Sequence, residues 1–191
     1  MAAYRHARAR LLQAMSALLV MPRLPALAQA LTWSDVPCGD SRLLVADGFR
    51  CRATAPYSPD NGRGATYRIH TASATNSEGT TYLYLMEGTD ARSVIRLSSA
   101  VPEQLSQAIP LAQTGRDWSQ VRLHAGSGYA LFTAENGDNC VGFRKAGPAR
   151  GGGHAWAILG IRCAAAGQTL SDTEIVSAIE AARPNEPART K

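Results

Sequence analysis

Four cysteines, Cys38, Cys51, Cys140 and Cys163, constrain what this chain can fold into more than any other feature. Structural zinc sites use closely spaced cysteine pairs, and thioredoxin-like redox chemistry or haem attachment needs C-x-x-C. Neither spacing occurs here, where neighbouring cysteines within each half lie 13 and 23 residues apart. An even number in an oxidising compartment makes disulfides instead. Cys140–Lys145 and Ala155–Cys163 read as strands joined by a Gly/Pro-rich segment, 146–154. A hairpin of the two sets Cys140 against Cys163 at its open end. Cys38 and Cys51 flank Ser41–Gly48, which carries its own turn at Asp47-Gly48. The expected pairing is therefore Cys38–Cys51 and Cys140–Cys163, each closing a loop worth about 3 kcal/mol.

The N-terminus supplies the oxidising compartment. Residues 1–10 carry Arg5, Arg8 and Arg10 and no acid, and Leu11–Met21 is apolar except for Gln13 and Ser16. Pro22 and Pro25 follow, and Ala28-Gln29-Ala30 offers the small residues a signal peptidase accepts. This predicts residues 1–30 to be a cleavable signal peptide, cut near Ala30 (Ala28 being the alternative), and a mature protein in the bacterial periplasm or outside the cell. A membrane span takes about 20 apolar residues, so no transmembrane anchor is expected. No Arg pair precedes the apolar run, which favours export of an unfolded chain. Asp35-Val36-Pro37 ahead of Cys38 is a poor match to a lipidation site.

Removing the signal changes the charge. The whole chain is net +5, but four of its twenty basic residues lie in the first thirty positions, leaving 16 basic against 15 acidic residues. No Lys/Arg run remains, so nucleic acid is not an expected partner. Residues 31–183 suit one domain with its own core, and the polar 184–191 reads as a flexible tail.

Periodicity gives an α+β fold: an antiparallel sheet of about seven to eight strands, a short mid-chain helix, and a C-terminal amphipathic helix packed on one face. The strands begin, after a lead-in Thr32–Cys38, with a hairpin of Arg42–Ala46 and Phe49–Ala53. Thr66–Thr71 alternates, and Thr80–Met86 is apolar and aromatic enough for a central strand. Ser93–Leu97 and Trp118–His124 are further strands, and Tyr129–Ala134, Cys140–Lys145 and 155–163 form a meander turning at Asn136-Gly137. Val101–Ile109 is the short helix. Ser171-Asp172-Thr173-Glu174 is a capping box that opens the last helix, with Leu170 and Ile175 as its hydrophobic staple and Ile175, Ile179 and Ala182 as its apolar stripe. Ile95-Arg96 and Ile161-Arg162, each preceding a helix, echo one another, with too few matching positions to imply duplication.

Catalytic signatures fail. Ala125-Gly126-Ser127-Gly128 lacks the first glycine of a nucleophile elbow and joins two strands, and no H-E-x-x-H or S-x-x-K is present after the signal. Glu135–Asn139 has too few ligands for a calcium loop. Asp172 and Glu174 complement the helix dipole. The segment Gly147–His154 is unusual for its three glycines flanked by Arg150 and His154, which have the chemistry to hold an anion or exchange a proton. It leads into a strand rather than a helix, and so reads as a loose hairpin tip. No metal site, cofactor or catalytic residue is assigned. Arg150, His154 and His124 are the candidate binding residues, and a protein or envelope component is the expected partner. The leading expectation is a non-catalytic binding or accessory module of the cell envelope. Two others stay open: a small secreted hydrolase whose site assembles in space from His154, Arg150 and His124, and a carrier whose cavity is lined by Tyr67, Tyr82, Tyr84 and Trp118.

Overall fold

A computed structural model describes residues 31–59 and 64–185, so the signal peptide expected over 1–30, the cleavage expected near Ala30 and residues 186–191 of the expected tail lie outside the described residues. Eight strands make the main sheet: β1 (Trp33–Val36), β2 (Arg50–Thr54), β3 (Tyr67–Asn76), β4 (Gly79–Gly88), β5 (Arg122–His124), β6 (Ser127–Thr133), β7 (Asn139–Ala146) and β8 (Trp156–Ala164). Their order is β1-β2-β3-β4-β8-β7-β6-β5, antiparallel throughout. Each half is a simple meander, and the two meet where β4 pairs with β8. Three helices accompany the sheet: α1 (Val101–Ala108), α2 (Pro110–Gln113) and α3 (Asp172–Ala181). The fold is α+β.

Strand alternation divides the core in two. One face presents Leu83 and Leu85 of β4, Val141 and Phe143 of β7 and Ile158 of β8, and α3 covers it with Ile175 and Ile179. The other presents Leu159 and Ile161 of β8 with Phe132 of β6, and α1 and α2 cover it with Val101, Leu105 and Ala112. Consecutive residues of β7 fix both helices. Arg144 donates from Nη1 to the Ser99 carbonyl and Gln104 Oε1, at the start of α1. Lys145, on the opposite face, donates from Nζ to the Ile179 and Ala182 carbonyls, which close the end of α3. A cation suits that helix terminus. The other end of α3 has the expected capping box: Ser171 Oγ accepts from the Glu174 N–H at 3.3 Å, and the Ser171 N–H donates to Glu174 Oε2 at 2.8 Å.

Both disulfides pair as the spacing predicts. Cys140 and Cys163 lie directly opposite in the β7–β8 register, and Cys38, just past β1, is joined to Cys51 in β2. No helix among the described residues is long and apolar enough to cross a membrane.

Several local expectations change. Arg42–Ala46 does not pair with Phe49–Ala53; β2 pairs with the lead-in, now β1. Complementary side chains decide this. Asp35 on β1 receives Arg50 and Arg52 at 2.9 and 3.2 Å, and Arg52 lies 5.6 Å from the centre of the Trp33 ring. Leu43–Leu44 pairs instead with Arg183–Pro184, and the Asn185 N–H donates to the Arg42 carbonyl. Pro184 and Asn185, within the expected tail, are thus tied to residues 42–44. The strand expected over Trp118–His124 shrinks to β5, because Asp117 takes a positive φ and Trp118 turns inward to stack on Phe132 at 4.2 Å. Ser93–Leu97 makes one bridge, Ile95 to His154, rather than a strand.

The glycine-rich segment is no loose tip. Ala149–Arg150 pairs with Gly153–His154 across Gly151-Gly152, both at positive φ, and the small hairpin docks on Ile95. Two successive left-handed residues are what a tight two-residue turn requires. Each four-stranded half is followed by a helix, yet α1 and α3 cover opposite faces. A rotation relating the halves of one antiparallel sheet would put both on the same face.

Candidate functional site

The three candidate binding residues are not brought together. His124, on edge strand β5, has Nε2 3.0 Å from Glu180 Oε1 of α3. His154 has Nδ1 2.8 Å from the Gly147 carbonyl, so its ring closes the base of its own hairpin. Arg150 is exposed on that hairpin. No hydrogen bond or ion pair among the described residues links any two of the three side chains. No group of three or more His, Cys, Asp or Glu among the described residues is placed to hold a metal ion.

A different histidine meets a carboxylate. His70 of β3 is buried, with Nε2 3.3 Å from Glu87 Oε1 of β4. Its Nδ1 faces the backbone N–H of Arg42 at 3.5 Å, and Arg42 Nε lies 3.2 Å from Glu87 Oε2. Arg42 Nη1 also donates to the Asn185 carbonyl at 2.6 Å, and Asn185 Nδ2 donates to the Ser41 carbonyl. His70 Nδ1 thereby accepts from the backbone, Nε2 sits beside the Glu87 carboxylate at ion-pair distance in poor hydrogen-bond geometry, and Ser41 Oγ accepts from the Leu43 N–H. This arrangement leaves no base directed at a hydroxyl; it ties residues 41–44 and the C-terminal segment to the sheet. Burial pushes the Glu87 carboxyl up, but the His70 contact and the Arg42 charge outweigh it and hold it below its ordinary value of 4.5. A carboxylate depressed in the folded state contributes stability above its unfolded value and loses it as pH falls through the folded one. Glu87→Gln therefore destabilises the protein at about pH 7 and by less at about pH 3, because the native protein loses this contribution as its own carboxyl takes up a proton. Urea denaturation of both proteins at the two pH values measures the gap, and an unchanged gap would contradict the assignment.

One opening lies on the α3 face. It is a cleft of about 620 Å³ between α3 and residues 44–49. Leu83 and Phe143 form its floor, Val45 and Phe49 one wall, Ala178 and Ala181 the other. At one end Arg162 donates to Thr81 Oγ1 and the Glu78 carbonyl at 3.0 and 2.9 Å, with the Glu78 carboxylate at 3.8 Å. The wall at 44–49 is the loop closed by the Cys38–Cys51 disulfide and pinned at its base by Leu43–Leu44. A small-residue helix face keeps the cleft open, since alanines leave room that larger side chains would fill.

The opposite face carries a smaller cleft of about 330 Å³, where α1 stops short of the first meander. Its floor is Tyr84, Met86, Ala157 and Leu159, and its sides are Ile95 and Leu97 facing Gln104 and Gln107 of α1. A second opening of about 470 Å³ shares Met86, Ile95 and Arg96 with it and adds Tyr57, Tyr67 and Arg92. Burial pushes the Tyr84 hydroxyl well above its ordinary value, with the Tyr57 and Tyr82 hydroxyls adding to the effect. Of the four aromatics considered for a carrier cavity, Tyr84 lines the cleft and Tyr67 the adjoining opening. Tyr82 and Trp118 pack against the core.

His70, Glu87 and Arg42 escaped the sequence reading because they lie 17 to 45 positions apart and only strand register and the C-terminal ladder join them. One signal was legible: His70 alternates with Ala72 on the face of β3 that the sheet buries. No protein-family model, curated protein or solved structure matches this chain.

Proposed function

We propose that this protein is an exported, non-catalytic binding module of the cell envelope, acting through the cleft between α3 and residues 44–49. The observation that carries the reading is that cleft: an apolar floor and alanine wall with charged groups of both signs at one end. Clefts with an apolar floor and a few placed polar groups are where binding sites form. One wall is anchored by a disulfide, so the site is preorganised and loses little entropy on association. The partner is a protein segment of the envelope that inserts an apolar side chain over Leu83 and Phe143 and meets Arg162 or the nearby carboxylates with polar groups.

The two disulfides and the N-terminal segment support export into the periplasm or beyond, and a near-neutral mature charge speaks for a protein partner over nucleic acid. Ala181→Arg fills the cleft from the exposed side of α3, near the end of the helix, where a cation is tolerated. Oxidised protein used to capture binders from envelope extracts should recover a specific protein that the Ala181→Arg variant loses by about tenfold or more. The Arg150→Ala variant, altered away from the cleft, should retain it. Equal recovery by Ala181→Arg would remove the cleft from the function.

A further inference from the structure

We propose that the cleft on the α1 face is a second binding site, which takes an amphipathic carboxylate: its apolar body lies on Tyr84, Met86, Ala157 and Leu159, and its carboxylate meets Arg96. The site lies on the face opposite the α3 cleft and rests on the binding-module reading only in holding a ligand without converting it.

Three observations converge on that chemistry. The first is shape: about 330 Å³ falls within the roughly 300–1,000 Å³ range of small-ligand pockets, and a neighbouring opening of about 470 Å³ shares Met86, Ile95 and Arg96 with it. The second is charge. Arg96 lines both openings and Arg92 the outer one, both are exposed, and no Asp or Glu lines either among the described residues. Among the described residues neither arginine is in an ion pair, whereas Arg42, Arg50, Arg52 and Arg162 each have an acid. The third is the floor. The Tyr84 hydroxyl has no hydrogen-bond partner among the described residues, unlike Tyr67, whose hydroxyl donates to the Val94 carbonyl at 3.0 Å. A protonated phenol and a guanidinium are both donors, so the ligand they suit is rich in acceptors at one end. The aliphatic and thioether surface between them suits a hydrocarbon body. An open cationic rim above an apolar floor thus selects a single-chain acid taken up as a monomer.

Dodecanoate, dodecanol and dodecyltrimethylammonium, each titrated below its micelle concentration into the oxidised protein, separate the contributions of body and head. Calorimetry reads affinity, and the Met86 methyl resonance reads location. Dodecanoate should bind at least about tenfold more tightly than the alcohol, and the cation should bind weakest. Arg96→Glu should weaken dodecanoate by about tenfold or more, while Arg122→Glu, the same charge change on the exposed edge strand β5, leaves it unchanged. Tyr84→Phe should weaken it by a smaller factor, with the circular dichroism spectrum retained. Equal binding of all three heads, indifference to Arg96→Glu, an unmoved Met86 resonance, or binding only to vesicles containing the acid would each overturn the assignment. Because Ala181→Arg leaves this cleft untouched, loss of partner capture by that variant and loss of dodecanoate binding by Arg96→Glu are read independently.

Discussion

Replacing Cys140 and Cys163 together with alanine lowers the unfolding free energy by about 3 kcal/mol, the chain entropy released by opening a 23-residue loop. For a domain of this size that corresponds to a fall in Tm of roughly 6–12 °C. Both cysteines are buried, at the end of the β7–β8 ladder, so the variant also loses packing there. Thermal melts with and without reductant give the check: reductant should lower the Tm of the native protein and have a smaller effect on the variant, whose remaining bridge is Cys38–Cys51. A native Tm indifferent to reductant would show that the bridges contribute nothing. The loop closed by Cys38–Cys51, 13 residues apart, is worth a similar amount, but its loss has a second consequence. It frees the 44–49 wall of the α3 cleft, so a Cys38→Ala, Cys51→Ala variant should lose partner capture even at temperatures where it stays folded. The Cys140–Cys163 variant should keep capture under the same conditions.

Gly160→Ala destabilises the protein by about 3 kcal/mol, at the upper end of overpacking costs, although it adds a single methyl group. Gly160 of β8 lies directly opposite Phe143 of β7 in the register, and the aromatic ring lies over the glycine. A Cβ at 160 would fall within the ring. Phe143 is buried and borders the α3 cleft, so the ring can yield only by leaving its packing against Leu83 and shifting toward that cleft. Glycine in a strand ordinarily weakens it; here a cross-strand aromatic takes the missing side chain's place. Phe143→Leu in the Gly160→Ala background should recover part of the loss, and urea titrations of the two single variants and the double one measure the coupling. Additive effects would show that the ring does not set the cost.

How much of this was legible depends on the distance over which each interaction acts. The capping box of α3 involves residues three apart, and it forms as its sequence implies. Pro102 in the first turn of α1 is a local signal of the same kind. Strand periodicity found the meander β6–β7–β8 and the central position of β4, because alternation records burial directly. The partner of β2 was missed for a different reason. Arg42–Ala46 is nearer in sequence and has a turn signal beside it, but the ion pairs of Asp35 with Arg50 and Arg52 and the Trp33 contact favour β1. Side-chain complementarity across a ladder is invisible until the register is known.

The candidate sites were less legible still. Arg150 and His154 stood out because glycine surrounds them, and that composition reports a tight turn with φ > 0 rather than a ligand loop. Tyr84 was noticed as one of four aromatics, and only the packing of α1 distinguishes it from Trp118, whose ring stacks on Phe132. Nothing local marks Ala181 as a wall of one cleft or Arg96 as the cation on the rim of the other.

By itself, the sequence determined the disulfide pairing, the α+β class, α1, α3 with its capping box, and the near-neutral charge of the chain beyond residue 30. These follow from spacing, periodicity and composition, which act along the chain. Only the tertiary structure decided which strands are neighbours, that α1 and α3 take opposite faces, that Arg42, His70 and Glu87 meet, and where the two clefts open. Those depend on contacts between segments tens of residues apart, whose energies are set by fit in three dimensions and leave no periodic trace in the order of residues.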